Sequence, residues 1–225
     1  MDKIVLPRKD KEGLPYCSYS QLKLWNDTKG YNTGRLGKEE FIRSYFLGEQ
    51  YPDTGYAQFG TEVEAYICNR QFAENFTAEE QHALSKITPL GVLQHEFKMQ
   101  FPGFYLKGFI DDATPDFTKL RDYKTCSLAS SKQYYNTDYK QLDLYSLAVE
   151  QEFGQLPLEL EVCAIERTGN AFRGGRVVLQ VGKNIWYIPR TTTQESRNQL
   201  YTYIVDTVTD ISNHYKAFLK LNTLC

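Results

Sequence analysis

Gly108-Phe109-Ile110-Asp111 and Asp122-Tyr123-Lys124-Thr125 decide how this chain is read. The first closes an alternating run, Phe104-Tyr105-Leu106-Lys107-Gly108-Phe109-Ile110-Asp111, and the second closes another, Lys119-Leu120-Arg121-Asp122-Tyr123-Lys124-Thr125. Both have the two-residue period of a β-strand. That period sets Asp122 and Lys124 on one face and Tyr123 on the other, so a carboxylate and an ammonium project together. Neighbouring strands lie about 4.8 Å apart, so an Asp111 at the end of the preceding strand can share a ligand with Asp122. Two carboxylates are hard oxygen donors of the kind Mg²⁺ or Mn²⁺ accepts, with water and phosphate oxygens completing the shell. Lys124 can then orient or deprotonate an attacking water and stabilise charge on a phosphate.

Outward from these strands, the pattern predicts an α/β chain. A strand through His95-Glu96-Phe97-Lys98-Met99-Gln100-Phe101 precedes a Pro102-Gly103 turn, giving a hairpin with Phe104–Asp111, and Pro115-Asp116 marks the turn into the third strand. Tyr139 to Phe153 runs without internal Gly or Pro and stops at Gly154, as a helix packing on the sheet does. Leu158 to Ala164 alternates as a fourth strand, and Gly182-Lys183-Asn184 between Arg176–Val181 and Ile185–Ile188 suggests a further hairpin. Upstream, Ser18 with Gln21 reads as a helix cap, a second helix is expected near Gly60 with Thr61 as its cap, and Thr77 opens a third. Thr192 and Glu195 suggest a capping box for a last helix whose Leu200, Ile204, Val208, Ile211, Tyr215 and Phe218 share a face. The expectation is one domain over residues 1–225, with N-terminal helical decoration at about 18–58 and a long C-terminal helix at about 192–221.

Composition narrows the classes. With 41% hydrophobic and 24% charged residues the chain is neither disordered nor fibrous. No apolar run approaches a membrane span and the N-terminal stretch lacks a signal-peptide pattern, so a cytoplasmic protein with no membrane association is expected. The 5 cysteines are scattered and form no Cys-x-x-Cys pair, and His82, His95 and His214 have no ligand spacing. Any metal is therefore expected on carboxylates. The net charge of -2 does not announce a nucleic-acid partner, although acidic residues gathered around a cation leave the basic ones free for phosphates.

An Asp-x-Lys on a strand is by itself most often a solvated face. Here it stands third in an ordered series: Gly60-Thr61-Glu62-Val63-Glu64, then Gly108-Phe109-Ile110-Asp111, then Asp122-Tyr123-Lys124-Thr125, then Gln141-Leu142-Asp143-Leu144-Tyr145. That order, over roughly Tyr19 to Tyr145, resembles the PD-(D/E)XK nuclease superfamily in its RecB-like and phage-exonuclease branch. The resemblance implies a restriction-endonuclease-like core with a central mixed β-sheet flanked by helices. It further implies catalytic roles for Asp111, Asp122, Lys124, Gln141 and Tyr145, and Mg²⁺ or Mn²⁺ held by Glu64, Asp111 and Asp122. Glu64 stands where the branch usually has histidine, an acceptable exchange for an oxygen-loving cation. Gln141 and Tyr145, four residues apart on a helix, fall on one face.

The implied activity is hydrolysis of DNA phosphodiester bonds, with an exonuclease acting at ends ahead of a structure-selective endonuclease, in a recombination or repair setting. A catalytically silent nucleic-acid-binding or assembly protein is the reading from another class. No Gly-x-x-x-x-Gly-Lys-Ser/Thr loop occurs, so ATP-driven unwinding is not encoded in these residues. Candidates for DNA contact are Arg35, Arg43, Arg121, Lys132 and Lys140, with Trp25 and Tyr134-Tyr135 as stacking surfaces. The resemblance leaves room for a homo-oligomer and for a recombination or single-strand-binding partner protein, in the host cytoplasm if the chain is phage-encoded.

Overall fold

The computed structural model describes residues 3–30, 35–52, 54–135 and 139–223. In chain order its elements are β1 (Tyr16–Cys17), α1 (Tyr19–Asn26), α2 (Gly37–Phe41), α3 (Gly55–Asn69), α4 (Ala78–Ser85), β2 (Val92–Phe101) and β3 (Phe104–Ala113). They continue with β4 (Lys119–Cys126), α5 (Gln141–Phe153), β5 (Glu159–Thr168), α6 (Ala171–Gly174), β6 (Gln180–Arg190) and α7 (Gln194–Asn222). The fold is mixed α/β, and the chain divides into two compact units.

One unit comprises Met1–Pro52, Glu96–Gly108 and Gln194–Cys225. Its α1 is capped by Ser18, whose hydroxyl accepts from the Gln21 amide while Gln21 returns the bond, the reciprocal box the sequence suggested. Leu22, Leu24 and Trp25 of α1 and Leu200, Ile204, Val208 and Ile211 of α7 are buried here, with Phe41. Trp25 donates its indole N–H to Asp210 at 2.9 Å, so it fills core and is not a surface for stacking bases. Gly108 must be glycine: a Cβ there would lie 2.5 Å from the ring of Phe97. The glycine of the Gly-x-x-Asp stretch thus lets the tip of an aromatic ring come close to the strand backbone.

The other unit comprises Asp53–His95 and Phe109–Thr193 and holds every residue expected to do chemistry. Its sheet places β4 between the end of β3, antiparallel through Asp112↔Arg121, and β5, parallel through Asp122↔Val162 and Lys124↔Ala164. A parallel neighbour requires a crossover, and α5 supplies it. Strand β6 closes the series antiparallel to β5. Helices α3 and α4 cover the sheet through Phe59, Val63, Tyr66, Ile67 and Leu84, packed with Tyr123, Cys163 and Ile165.

Two local expectations change. Helix α3 starts at Gly55 rather than near Gly60, because the Thr54 hydroxyl, not that of Thr61, accepts from a first-turn amide, that of Ala57. Gly60-Thr61 therefore lie inside the helix. The hairpin expected around Gly182-Lys183-Asn184 is one continuous strand. The Glu166 carboxylate accepts from the Lys183 and Asn184 amides and from the Asn184 side chain, at a bulge between Ile165 and Arg167, so these turn-forming residues serve a strand irregularity. Arg176–Val178, read as strand, is a short 3-10 turn. Among the described residues no helix is long and apolar enough to cross a membrane, and Cys17, Cys68, Cys126 and Cys163 are free thiols.

Candidate active site

Asp122, in the middle of β4, is fully buried. One of its oxygens accepts from the Lys124 ammonium at 2.7 Å and from the Tyr145 hydroxyl at 3.1 Å; the other accepts from the Tyr139 hydroxyl. Asp111, 9% exposed on β3, accepts the Tyr123 amide at 2.9 Å on one oxygen and the Tyr145 hydroxyl at 2.9 Å on the other. The Lys124 ammonium lies 3.8 Å from that Asp111. Gln141 donates its amide to the Tyr145 oxygen at 3.3 Å, the contact their helical spacing allows. Sheet and crossover helix thus bring Asp111, Asp122, Lys124, Gln141 and Tyr145 together.

Burial above all, and then the Asp122 and Glu64 charges, hold the Asp111 carboxyl well above the usual carboxylate range, with Lys124 pulling the other way. Burial alone would lower the Lys124 pKa, but Asp122 and Asp111 outweigh it and raise it. Beside these two carboxylates the Lys124 ammonium is placed to orient groups and to stabilise negative charge. Tyr139 and Tyr145 are held well above the ordinary phenol range, first by burial and then by the neighbouring carboxylates, so both serve as neutral donors.

Glu64 on α3 accepts from the Gln94 side-chain amide. Burial raises its carboxyl most, with Lys124 opposing and Asp122 adding. It shares a cleft of about 350 Å³ with Lys124, Thr125, Tyr56 and Arg167. Three carboxylates face one ammonium here, a balance that a divalent cation would redress. The donors are all hard oxygens, which suits Mg²⁺ or Mn²⁺. Among the described residues, however, no three acidic, histidine or cysteine side chains are already spaced as a metal cage. The arrangement fits an oxygen-donor site built on Asp111 and Asp122, with Glu64 beside them.

Several residues escaped the sequence reading. Tyr139 carries no motif, yet it reaches Asp122, and Arg190 holds it there by donating to the Tyr134 and Tyr139 carbonyls. Gln94 sits at φ 51 within β2, a strained position with no signal in its neighbours. Asp112, next to Asp111, is fully buried and accepts from the Leu90 amide, the Tyr123 hydroxyl and Arg121. That last contact corrects the assignment of Arg121 to DNA: it is 5% exposed and committed to Glu161, Asp112 and the Thr88 carbonyl, because a guanidinium on an interior strand must be paired. Lys132 is exposed and Lys140 half-buried at the start of α5. Tyr134 is buried and Tyr135 exposed. In the other unit, Arg35 pairs with Glu39, and Arg43 with Glu39 and Glu49.

Residues 35–220 match the PD-(D/E)XK nuclease superfamily, and the chain belongs to it. Members are phosphodiester-cleaving enzymes that generally use divalent metals such as Mg²⁺ or Mn²⁺. The fold is similar to a crystal structure from Eubacterium rectale of a protein provisionally described as an exonuclease, at TM-score 0.55 and 13% identity over 89% of this chain and 82% of that one. No curated protein sequence matches.

Proposed function

We propose that the protein is a metal-dependent DNA nuclease that hydrolyses phosphodiester bonds from DNA ends, a single nuclease domain whose site is carried by Asp53–His95 and Phe109–Thr193. The observation that supports this best is the convergence of Asp111, Asp122 and Lys124 under one Tyr145 hydroxyl. When bound, a divalent ion would be held by Asp111 and Asp122, with Glu64 beside them, and would supply a nucleophilic water and charge neutralisation at the phosphate. Lys124 holds the scissile phosphate and offsets charge developing on it. Tyr145, Tyr139 and Gln141 fix the two carboxylates by hydrogen bonds, so that they present oxygens in one geometry.

A cleavage assay on linear, closed-circular, single-stranded and double-stranded DNA, with and without Mg²⁺ or Mn²⁺, tests the reading. Release of nucleotides from linear substrates, dependent on the ion and lost in Asp122→Ala and Lys124→Ala, is expected. Efficient nicking of closed circles would favour a structure-selective endonuclease using the same residues. Unchanged cleavage in both variants overturns the site assignment, and no cleavage by the wild type with either ion points to a nucleic-acid-binding protein.

A further inference from the structure

Phe172 is 87% exposed and Val177, in the same segment, 85% exposed. An exposed phenylalanine ring presents a flat apolar face that a planar ligand can cover. The ring is also held in place. Asn170 accepts from the Phe172 amide at 3.0 Å and from the Tyr56 hydroxyl at 3.2 Å, and that hydroxyl accepts from the Ala171 amide at 3.2 Å. Tyr56 meets Phe172 edge to face, with centroids 5.4 Å apart and planes at 72°. The segment is clamped on α3: a Cβ at Gly55 would fall 2.8 Å from the Arg176 nitrogen, and one at Gly169, whose φ is +90°, 2.1 Å from the Val178 carbonyl. Only glycines permit that approach.

Tyr56 also lines the cleft that holds Glu64 and Lys124, where the Arg167 guanidinium lies 4.2 Å above its ring. An exposed aromatic face thus borders a cleft supplied with two cations. We infer that Phe172, braced by Tyr56, stacks on an unpaired terminal base of the DNA strand whose phosphates lie along Arg167 and Lys124. This rests on the nuclease reading and specifies its substrate: an end with an unpaired nucleotide. Phosphates match the cations in charge, and every base has a face for a ring to cover, whereas bases inside a duplex already cover one another. A volume of about 350 Å³ falls within the range of small-ligand sites.

The test uses the full chain in EDTA, where nothing is cut. The probes are a duplex with a short overhang carrying 2-aminopurine at its terminal unpaired position, and the corresponding blunt duplex. Wild type should quench the fluorophore by stacking. Phe172→Ala should lose the quench and bind the overhang about tenfold more weakly, with blunt-duplex binding unchanged, while Phe172→Trp restores both. Equal overhang binding and quench in Phe172→Ala overturns the inference. So does equal weakening on both duplexes, or a loss confined to self-association in sedimentation, which would mark the ring as a contact between copies. A wild type that cleaves DNA but never quenches sinks the stacking site alone. A wild type that quenches in EDTA but cleaves nothing with Mg²⁺ or Mn²⁺ sinks the nuclease reading and leaves the stacking surface standing.

Discussion

Tyr145 has one hydroxyl proton and two carboxylates within reach of it, 2.9 Å and 3.1 Å away. Its value to the site lies in that shared position. Tyr145→Phe should keep the fold and lower the cleavage rate about 10- to 100-fold, with weaker metal binding, as for other groups that orient metal ligands; steady-state rates over a Mn²⁺ titration measure both, and an unchanged titration would sink the role. Asp112 provides the contrast, because it adjoins Asp111 and does a different job. It is fully buried against Arg121 and the Tyr123 hydroxyl, so Asp112→Asn leaves a buried guanidinium with less charge to face. A loss on the order of 3 kcal/mol in urea unfolding is expected, from the cost of breaking a buried pair. The sequence distinguished these neighbours only by motif. Asp111, Asp122, Lys124, Gln141 and Tyr145 stand at spacings that strand and helix periods translate into proximity, and were legible for that reason. Tyr139, Gln94 and Asp112 act through contacts across 17, 30 and 11 residues of chain with no periodic relation to their partners, which pattern alone does not encode.

Among the elements, those with strong alternation were readable: β2, β3 and β4 lie where the patterned residues put them, and Ser18-Gln21 and Thr77-Glu80 cap as their spacing implied. The misreadings fall where turn-forming residues do something else. Gly182-Lys183-Asn184 feeds a bulge held by Glu166, and Thr61 yields to Thr54, whose hydroxyl takes the Ala57 amide. Helix α7 meets α1 and α2 at Asp210, which accepts from Trp25 and Lys38 at 2.9 Å each and lies 3.1 Å from His214. Burial pulls this carboxyl upward, but hydrogen bonds from Lys38 and Trp25 outweigh it and hold it below the usual range. A depressed folded pKa stabilises above the unfolded value near 3.9 and ceases to do so as pH falls through the folded one. Asp210→Asn should therefore melt at a lower temperature than wild type at pH 7, and the two should converge as pH falls through the folded value; a gap independent of pH would assign the effect to packing.

At the scale of the molecule, a net charge of -2 conceals a site where the Asp111, Asp122 and Glu64 carboxylates gather around Lys124. Ions that bind only the folded chain should stabilise it: at about 100 times its dissociation constant, Mn²⁺ would add about 2.7 kcal/mol, and removal by EDTA would reverse it. Thermal melts of wild type and Asp122→Ala measure this, and equal shifts in both would place the ion elsewhere. Strand β4 carries a further consequence. It pairs with β5 along Lys119–Cys126 and with β3 at Leu120 and Arg121, and its Tyr123 amide is bonded to the Asp111 carboxylate, so its backbone is tied into both the sheet and the site. Exchange of its amides with deuterated solvent should proceed only through cooperative opening of the unit, at the slow end of the range for this chain. Loss of activity on heating would then coincide with the main melting transition, and the enzyme would give no early warning of failure as its surface loosens.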